Sequence, residues 1–126
     1  MKNALDLVKE AKAHTQEVAL NEVDTALTQA DAVIDVREAD EYASGHLPGA
    51  IHMSRGLLEF KLSAHPVLNN RNAKLVVYCK TSGRAALAAQ QMQAMGYLHV
   101  VNIAGGYDAW VAAGKPTVKP DTPNFG

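Results

Sequence analysis

Cys79 is the only cysteine in the chain, and its position predicts a nucleophile. It ends the apolar run of residues 75–78 and opens a short polar loop, residues 80–84, which leads into an alanine-rich segment with helical spacing. The first N–H groups of a helix have no partner within the helix, and they lie at the positive end of its dipole. A cysteine at such a helix start, close to a lysine or arginine, favours the reactive thiolate form.

The loop after Cys79 also predicts a site for a small anion. It holds two cations and three small residues, Lys80, Thr81, Ser82, Gly83 and Arg84. Successive N–H groups of a tight loop form a concave surface that binds anions, and the two cations add charge-assisted hydrogen bonds. We therefore expect Cys79 to be catalytic and the loop to bind small oxyanions or their sulfur analogues. The alternative is a structural role for Cys79, as a small buried hydrophobic residue at a strand end.

A single cysteine limits the chemistry that can follow attack. The chain has no second thiol for an intramolecular disulfide relay, so a covalent adduct on Cys79 must pass to an external acceptor. A cysteine zinc site is excluded, and the five histidines lack the close helical pairing of a metal motif. We expect no metal and no cofactor. A lone free cysteine also suits a reducing compartment, which predicts a cytoplasmic protein.

The segments around this loop alternate between strand and helix patterns. Short apolar runs predict strands at residues 17–20, 32–36, 50–52, 75–78 and 99–101. Helical spacing, with glycine or proline near several ends, predicts helices at residues 4–11, 21–27, 38–44, 57–62, 85–95 and 107–113. This alternation predicts an α/β fold with a parallel sheet that helices cover on both faces. Ligands of such sheets bind beyond the carboxyl ends of the strands, where residues 35–37 and Cys79 both fall.

Length and charge argue against several other classes of protein. With 126 residues, 48% of them apolar, the chain can bury the core of one domain. A net charge of −1 argues against a nucleic-acid surface or a basic membrane-binding patch. The charged N-terminus does not fit a signal peptide, and the sequence has no apolar run long enough to span a membrane. We expect an N-terminal helical extension at residues 1–16, a domain at 17–115 and a proline-containing tail at 116–126.

Four segments, in this order, resemble the rhodanese (thiosulfate sulfurtransferase) domain family in its single-domain form. They are Ile-Asp-Val-Arg at 34–37, Glu-Tyr at 41–42 with Gly-His-Leu-Pro-Gly-Ala-Ile-His at 45–52, Val-Tyr-Cys through Arg at 77–84, and Gly-Gly-Tyr-Asp-Ala-Trp at 105–110. The resemblance covers roughly residues 17–115. It implies a rhodanese-like α/β fold with a five-stranded, mainly parallel central sheet.

The resemblance also implies a reaction. Cys79 would take a sulfane sulfur from thiosulfate or a related small anionic donor, and would pass it as a persulfide to cyanide, a thiol or a protein acceptor. Sulfite would leave, and Lys80 with the loop N–H groups could stabilise that anion. Lys80 resembles the cationic loop position of family members that use thiosulfate. Ser82 and Gly83 depart from the commonest family loop, in which glycine comes third after the cysteine, so the donor is left open.

Two roles are possible for Asp35 and Arg37, which lie at the end of another predicted strand. They could form a structural ion pair that supports the active loop, or Arg37 could help to bind the donor. We expect Asp35 to support the loop, because a carboxylate inside the pocket would repel anionic donors. Arg37 is kept as a candidate substrate-binding residue.

Two other functions fit the same pattern. Phosphatases and arsenate reductases of this fold also use a cysteine in an amide cradle with an arginine. Their signature places one residue more between the two than the four that separate Cys79 from Arg84, and the smaller ring suits a terminal sulfur better than a phosphate. Rhodanese-like modules can also serve as non-catalytic binding domains, although such modules often lack the cysteine. The sequence indicates neither an oligomeric state nor a docking surface for a protein partner.

Overall fold

Five strands form one parallel sheet at the centre of the structure, a computed structural model that describes residues 1–120. The strands are β1 (Gln16–Val18), β2 (Ala32–Asp35), β3 (Ile51–His52), β4 (Lys74–Tyr78) and β5 (His99–Ile103). Their order across the sheet is β1-β5-β4-β2-β3, and each neighbouring pair is parallel. The predicted five-stranded, mainly parallel sheet is therefore confirmed.

Within the described residues, six α-helices connect or flank these strands. They are α1 (Ala4–His14), α2 (Val23–Gln29), α3 (Ala39–Ser44), α4 (Leu58–Ala64), α5 (Gly83–Ala94) and α6 (Gly106–Ala112). Short 3-10 turns at Leu20–Glu22 and Arg55–Leu57 precede α2 and α4, so these two helices begin later than the sequence predicts. None of these helices is long and apolar enough to cross a bilayer.

The central strands are buried on both faces, which explains their continuous apolar runs. Val33 of β2 lies beside Val76 of β4, and Val76 lies beside Val101 of β5. Helices α4 and α5 cover one face of the sheet with Leu58, Leu62, Ala85, Ala88, Ala89 and Met92. Helices α2 and α6 cover the other face with Val23 and Trp110. The alanines of α5, which begins at Gly83 shortly after Cys79, let that helix lie close to the sheet.

Helix α1 packs along α5. Its start is fixed by a capping box, in which the Asn3 side chain accepts from the Asp6 N–H and the Asp6 carboxylate accepts from the Asn3 N–H. Ala11 is fully buried and Val8 is half-buried. A Cβ placed on Gly83 would lie 3.5 Å from Cγ2 of Val8, so α1 reaches the first turn of α5. The predicted N-terminal extension is therefore in contact with the helix that follows Cys79.

The start of the predicted tail pairs with the turn before β3. His46 and Val118 exchange two backbone hydrogen bonds, each 2.9 Å long. The indole N–H of Trp110 donates to the carbonyl oxygen of Pro116 at 2.7 Å. The rest of the predicted tail, residues 121–126, lies outside the described residues.

Candidate active site

Cys79 follows the last residue of β4 and comes shortly before α5, at the strand-to-helix junction that the sequence predicts. Its side chain is buried, with 1% of the residue exposed. The sulfur accepts a hydrogen bond from the backbone N–H of Ala85, with an N to Sγ distance of 3.3 Å. The first turn of α5 is thus directed at the sulfur, and its dipole favours negative charge there.

The N-terminus of α6 holds the carbonyl groups at the start of the loop. The N–H groups of Tyr107 and Asp108 donate to the carbonyl oxygens of Cys79 and Lys80, at 2.9 and 3.0 Å. A Cβ on Gly106 would overlap the carbonyl oxygen of the loop residue after Lys80. It would also lie 2.6 Å from the carbonyl oxygen of Cys79. Gly106 also has a φ of 58°, a conformation that favours glycine. Only a glycine here lets α6 approach the loop so closely.

The N–H groups of the same loop remain free. Among the described residues, none of the backbone N–H groups of residues 80–84 donates to a protein acceptor. The carbonyl oxygen of Ser82 is engaged, because it accepts from the N–H of Ala86 at 2.9 Å and from Nδ2 of Asn102 at 3.3 Å. A loop whose carbonyl groups are held by neighbouring elements and whose N–H groups are unpaired has the concave geometry that favours an anion.

Arg84, at the end of the loop, is paired with a carboxylate on α3. Its Nη1 and Nη2 atoms donate to Oε1 and Oε2 of Glu41 at 2.6 and 3.0 Å. These hydrogen bonds lower the pKa of Glu41 to about 2, and they raise the pKa of Arg84. Glu41 also accepts from the N–H of Glu38 at 3.0 Å, which ties the end of the loop to the start of α3. The guanidinium predicted to bind substrate is therefore engaged by Glu41 in this structure.

Lys80, the other loop cation, lies at the surface. Its Nζ atom is 2.7 Å from Oδ2 of Asp108, and the two side chains are 60% and 48% exposed. Exposed pairs of this kind contribute little free energy, so Lys80 is free to turn to another anion. An open depression beside the loop is lined by Arg37, Asp40, Glu41, Ser44, Lys80, Tyr107 and Asp108. Within residues 1–120, no three His, Cys, Asp or Glu side chains lie close enough together to hold a metal ion.

Asp35 is fully buried at the end of β2 and reaches the residue before the cysteine. The hydroxyl of Tyr78 donates to Oδ2 of Asp35 at 2.6 Å. Burial raises the pKa of Tyr78, and the hydrogen bond to Asp35 raises it further, so this hydroxyl keeps its proton. The carbonyl oxygen of Tyr78 also accepts from the N–H of Val36 at 3.1 Å. This geometry fits the support of the loop that the sequence predicts for Asp35.

Arg37 is buried, and its guanidinium contacts other protein groups. Nη2 donates to Oδ2 of Asp35 at 2.8 Å and to the carbonyl oxygen of Gly45 at 2.6 Å. The guanidinium carbon also lies 4.1 Å from the ring centroid of Tyr107. Burial alone would lower the pKa of Arg37, but the hydrogen bonds and charge of Asp35 raise it. Substrate binding by Arg37 stays a prediction, and its contacts favour a positioning role beside the depression.

Three further residues contact the loop or its end. The sequence did not predict a role for any of them. Asn102 interrupts the apolar run of β5 with a polar side chain, a signal that could have been used. Its Oδ1 atom is buried without a partner among the described residues. Glu41 stands within a segment that resembles the family, but nothing in the sequence connects it with Arg84. Lys12 gave no signal, and its Nζ atom donates to Oγ of Ser82 at 2.6 Å.

Comparison with known protein families identifies the relatives of this fold and site. Residues 15–113 match the family described as the rhodanese-like domain. The chain belongs to the rhodanese-like domain family. The matched residues include both the Cys79 loop and the glycine that docks on it, and the resemblance noted in the sequence is confirmed.

Relatives of this rhodanese-like protein carry names of different kinds. A sulfurtransferase from Allochromatium vinosum is 29% identical, over 81% of this chain and 98% of its own. The mitochondrial protein HIGH ARSENIC CONTENT 1 of Arabidopsis thaliana is 32% identical, over 90% of this chain and 75% of its own. A solved structure from Rhodopseudomonas palustris, described as a protein of unknown function and possible tyrosine phosphatase, superposes with a TM-score of 0.85 at 28% identity and covers 94% of this chain and 96% of its own. The rhodanese-like fold is thus shared, and the residues of the site must decide the chemistry.

Proposed function

We propose that this protein is a sulfurtransferase in which Cys79 carries a sulfane sulfur as a persulfide. The proposal rests mainly on the backbone N–H groups of residues 80–84, which directly follow Cys79. These N–H groups have no protein acceptor among the described residues. The family match and the relative named as a sulfurtransferase support sulfur transfer at the level of the family. Thiosulfate or a related small anion is the proposed donor, and a cellular thiol or protein is the proposed acceptor.

The proposed reaction has two balanced steps. The thiolate of Cys79 attacks the outer sulfur of thiosulfate, a bond forms between that sulfur and Sγ, and the sulfur–sulfur bond of thiosulfate breaks. Sulfite leaves with the electron pair, and the negative charge remains on the terminal sulfur of the persulfide, where the loop N–H groups stabilise it. A thiolate or cyanide then attacks the terminal sulfur, and Sγ leaves as the thiolate, ready for another cycle.

The burial of Cys79 decides how a donor approaches. With 1% of the residue exposed, the outer sulfur of the donor enters the loop while its charged oxygens stay near the surface. Lys80 lies at that surface and is held only by an exposed pair with Asp108. Lys80 can therefore turn to the oxygens of the donor and then to the departing sulfite.

A phosphatase or arsenate reductase is the second candidate, because a structure with the same fold is described as a possible tyrosine phosphatase. An arginine that clamps a tetrahedral oxyanion donates two hydrogen bonds to it from one edge of the guanidinium. In this structure the Nη1–Nη2 edge of Arg84 is paired with Glu41, which leaves the edge that includes Nε for such an anion. The four residues between Cys79 and Arg84 also form a short loop. The short loop favours a terminal sulfur over phosphate or arsenate as the bound group, and the pair with Glu41 reduces the number of donors that Arg84 can offer an oxyanion.

The test is intact-mass analysis after incubation with thiosulfate. We expect the wild-type protein to gain one sulfur atom and to lose it to cyanide with release of thiocyanate, whereas Cys79→Ala gains none. Hydrolysis of an aryl phosphate, or reduction of arsenate with a thiol, is measured with the same preparations. Phosphate hydrolysis without sulfur uptake would select the second candidate. Absence of all three activities, with an intact cellular role for Cys79→Ser, would instead identify a non-catalytic binding module.

Two further expectations from the sequence remain proposals. We propose a cytoplasmic location, because the thiol of Cys79 must stay reduced between cycles. We also propose the division into a helical extension at residues 1–16, a domain at 17–115 and a tail at 116–126. Strand β1 begins at Gln16, one residue inside the proposed extension, and α1 packs on α5.

A further inference from the structure

Lys12 of α1 contacts the loop that holds the reactive cysteine. Its Nζ atom donates to Oγ of Ser82 at 2.6 Å, across a gap of seventy positions in the sequence. The nearest competing anion is Glu17 of β1, whose Oε1 atom is 3.7 Å from the same nitrogen. Val8, one turn earlier on α1, packs against Gly83, so both contacts fall at the start of α5. Lys12 is therefore held against the residue that precedes this helix.

Ser82 is the N-cap residue of α5, yet its hydroxyl does not cap the helix. An N-cap serine normally adopts extended backbone and accepts from the N–H of the second or third helical residue, here Arg84 or Ala85. Ser82 has φ −155° and ψ −11°, and its side chain makes no such hydrogen bond. The N–H of Ala85 donates to Sγ of Cys79 instead. The sulfur thus accepts a hydrogen bond from an N–H group that an N-cap side chain would ordinarily bind.

We propose that Lys12 is a positioning residue, which keeps the hydroxyl of Ser82 away from the first turn of α5 and so leaves the Ala85 N–H to the sulfur of Cys79. Without Lys12, the loop relaxes toward the ordinary capped conformation and the Ser82 oxygen competes for that N–H. Since the N–H favours the thiolate, its loss reduces the reactivity of Cys79 at neutral pH. The inference rests on the proposed role of Cys79 as the nucleophile.

Other charged groups near the loop must be kept constant in a test. Arg84 with Glu41 and Lys80 with Asp108 form pairs that do not involve Lys12. Among the described residues, Glu17 is the carboxylate that lies within ion-pair distance of Lys12. A change at Lys12 also removes a positive charge, which by itself disfavours a nearby thiolate. The effect of position must therefore be separated from the effect of charge.

The experiment measures alkylation of Cys79 by iodoacetamide, an uncharged reagent, as a function of pH by intact mass. The full chain is compared with Lys12→Met, Ser82→Ala and the double variant. Lys9→Met removes a charge from the same helix at a position with no ion pair among the described residues, and serves as the control. Lys12→Arg keeps a donor at the loop and tests rescue. Thermal unfolding verifies that each variant is folded.

We expect Lys12→Met to raise the pH midpoint of alkylation by about one unit, which is a roughly tenfold slower reaction at a fixed pH below the midpoint. The same change in the Ser82→Ala background should shift the midpoint by far less, because no hydroxyl remains to compete for the N–H. Lys9→Met should leave the midpoint near that of the wild type, and Lys12→Arg should restore it.

Equal shifts in both backgrounds would show that Lys12 acts through its charge alone and would overturn the inference. No shift, or no alkylation of the folded wild type at any pH, would overturn it as well. Alkylation does not depend on sulfur transfer. If the coupling is found but thiosulfate loads no sulfur, the proposed function fails while the role of Lys12 stands.

Discussion

Replacement of Gly106 by alanine tests whether the docking of α6 shapes the loop around Cys79. The new Cβ would overlap the carbonyl oxygen of Thr81, and it would lie 2.6 Å from the carbonyl oxygen of Cys79 and 2.9 Å from that of Lys80. These are backbone atoms, so no side chain can rotate to relieve the overlap. Either α6 must withdraw or the loop must move.

The expected loss of stability follows from these contacts. Alanine at a φ of 58° costs about 1 to 2 kcal/mol. Withdrawal of α6 breaks the hydrogen bonds from Tyr107 and Asp108 to the loop, each with a net contribution of about 1 kcal/mol. The total is about 3 to 4 kcal/mol. Gly114→Ala is a matched control, since Gly114 has a φ of 74° and a Cβ added there would meet nothing within 4 Å, so only the conformational cost applies.

Two measurements distinguish the variants. Urea unfolding should show a loss for Gly106→Ala that exceeds the loss for Gly114→Ala by about 2 kcal/mol. Sulfur uptake from thiosulfate, measured by intact mass under conditions where both variants are folded, should fall at least tenfold in Gly106→Ala and stay near the wild-type level in Gly114→Ala. If both variants lose the same stability and both load sulfur normally, the close approach of α6 does not shape the site.

Three other changes probe the surrounding pairs. Arg37→Met leaves a buried carboxylate unpaired and should cost about 3 to 5 kcal/mol in urea unfolding, and a cost under about 1 kcal/mol would contradict the buried pair. Glu41→Gln should cost about 1 kcal/mol at pH 7 in thermal unfolding, because the pair with Arg84 is exposed in part. Since the pKa of Glu41 falls from 4.5 to about 2 on folding, the difference in stability between wild type and variant should persist above pH 4.5 and shrink as the pH falls toward 2. A difference in stability that grows in acid would refute the pairing of Glu41 with Arg84. Asp108→Asn releases Lys80 and should lower the KM for thiosulfate several-fold at low salt, with no difference near 1 M salt. Steady-state kinetics at both salt concentrations measures this, and a decrease in KM that persists at high salt would contradict the electrostatic explanation.

The fold could be predicted because each signal for it is local. The β-branched runs of β2, β4 and β5 and the alanine spacing of α5 each lie within a dozen residues, and the alternation of such segments implies a parallel sheet. The predicted helix start differs from the structure where a 3-10 turn comes before an α-helix, as at Leu20–Glu22, because apolar spacing does not separate the two. The position of Cys79, beyond the carboxyl ends of the strands, could be predicted for the same reason.

The contacts that shape the site could not be predicted, because they join residues far apart in the chain. Arg84 and Lys80 carry full charges, and the sequence suggested that both face a substrate. The structure shows each of them beside a carboxylate, Glu41 on α3 or Asp108 on α6. No spacing rule relates positions 43 or 28 residues apart, so the partner of a surface cation is fixed only when the elements pack. The contact of Lys12 with Ser82 joins residues 70 positions apart, so it could not be predicted for the same reason.

The departure of this loop from the commonest family pattern is explained by how the loop is held. A glycine third after the cysteine would be needed if that position had a positive φ, but Ser82 has a φ of −155°. Within residues 1–120, no residue other than glycine has a positive φ, and Gly83 is not among the glycines that do. The loop conformation is therefore set by contacts from outside it, from Asn102 on β5 and the N-terminus of α6. Because these contacts act on carbonyl oxygens, which every residue has, they do not require a glycine at position 82.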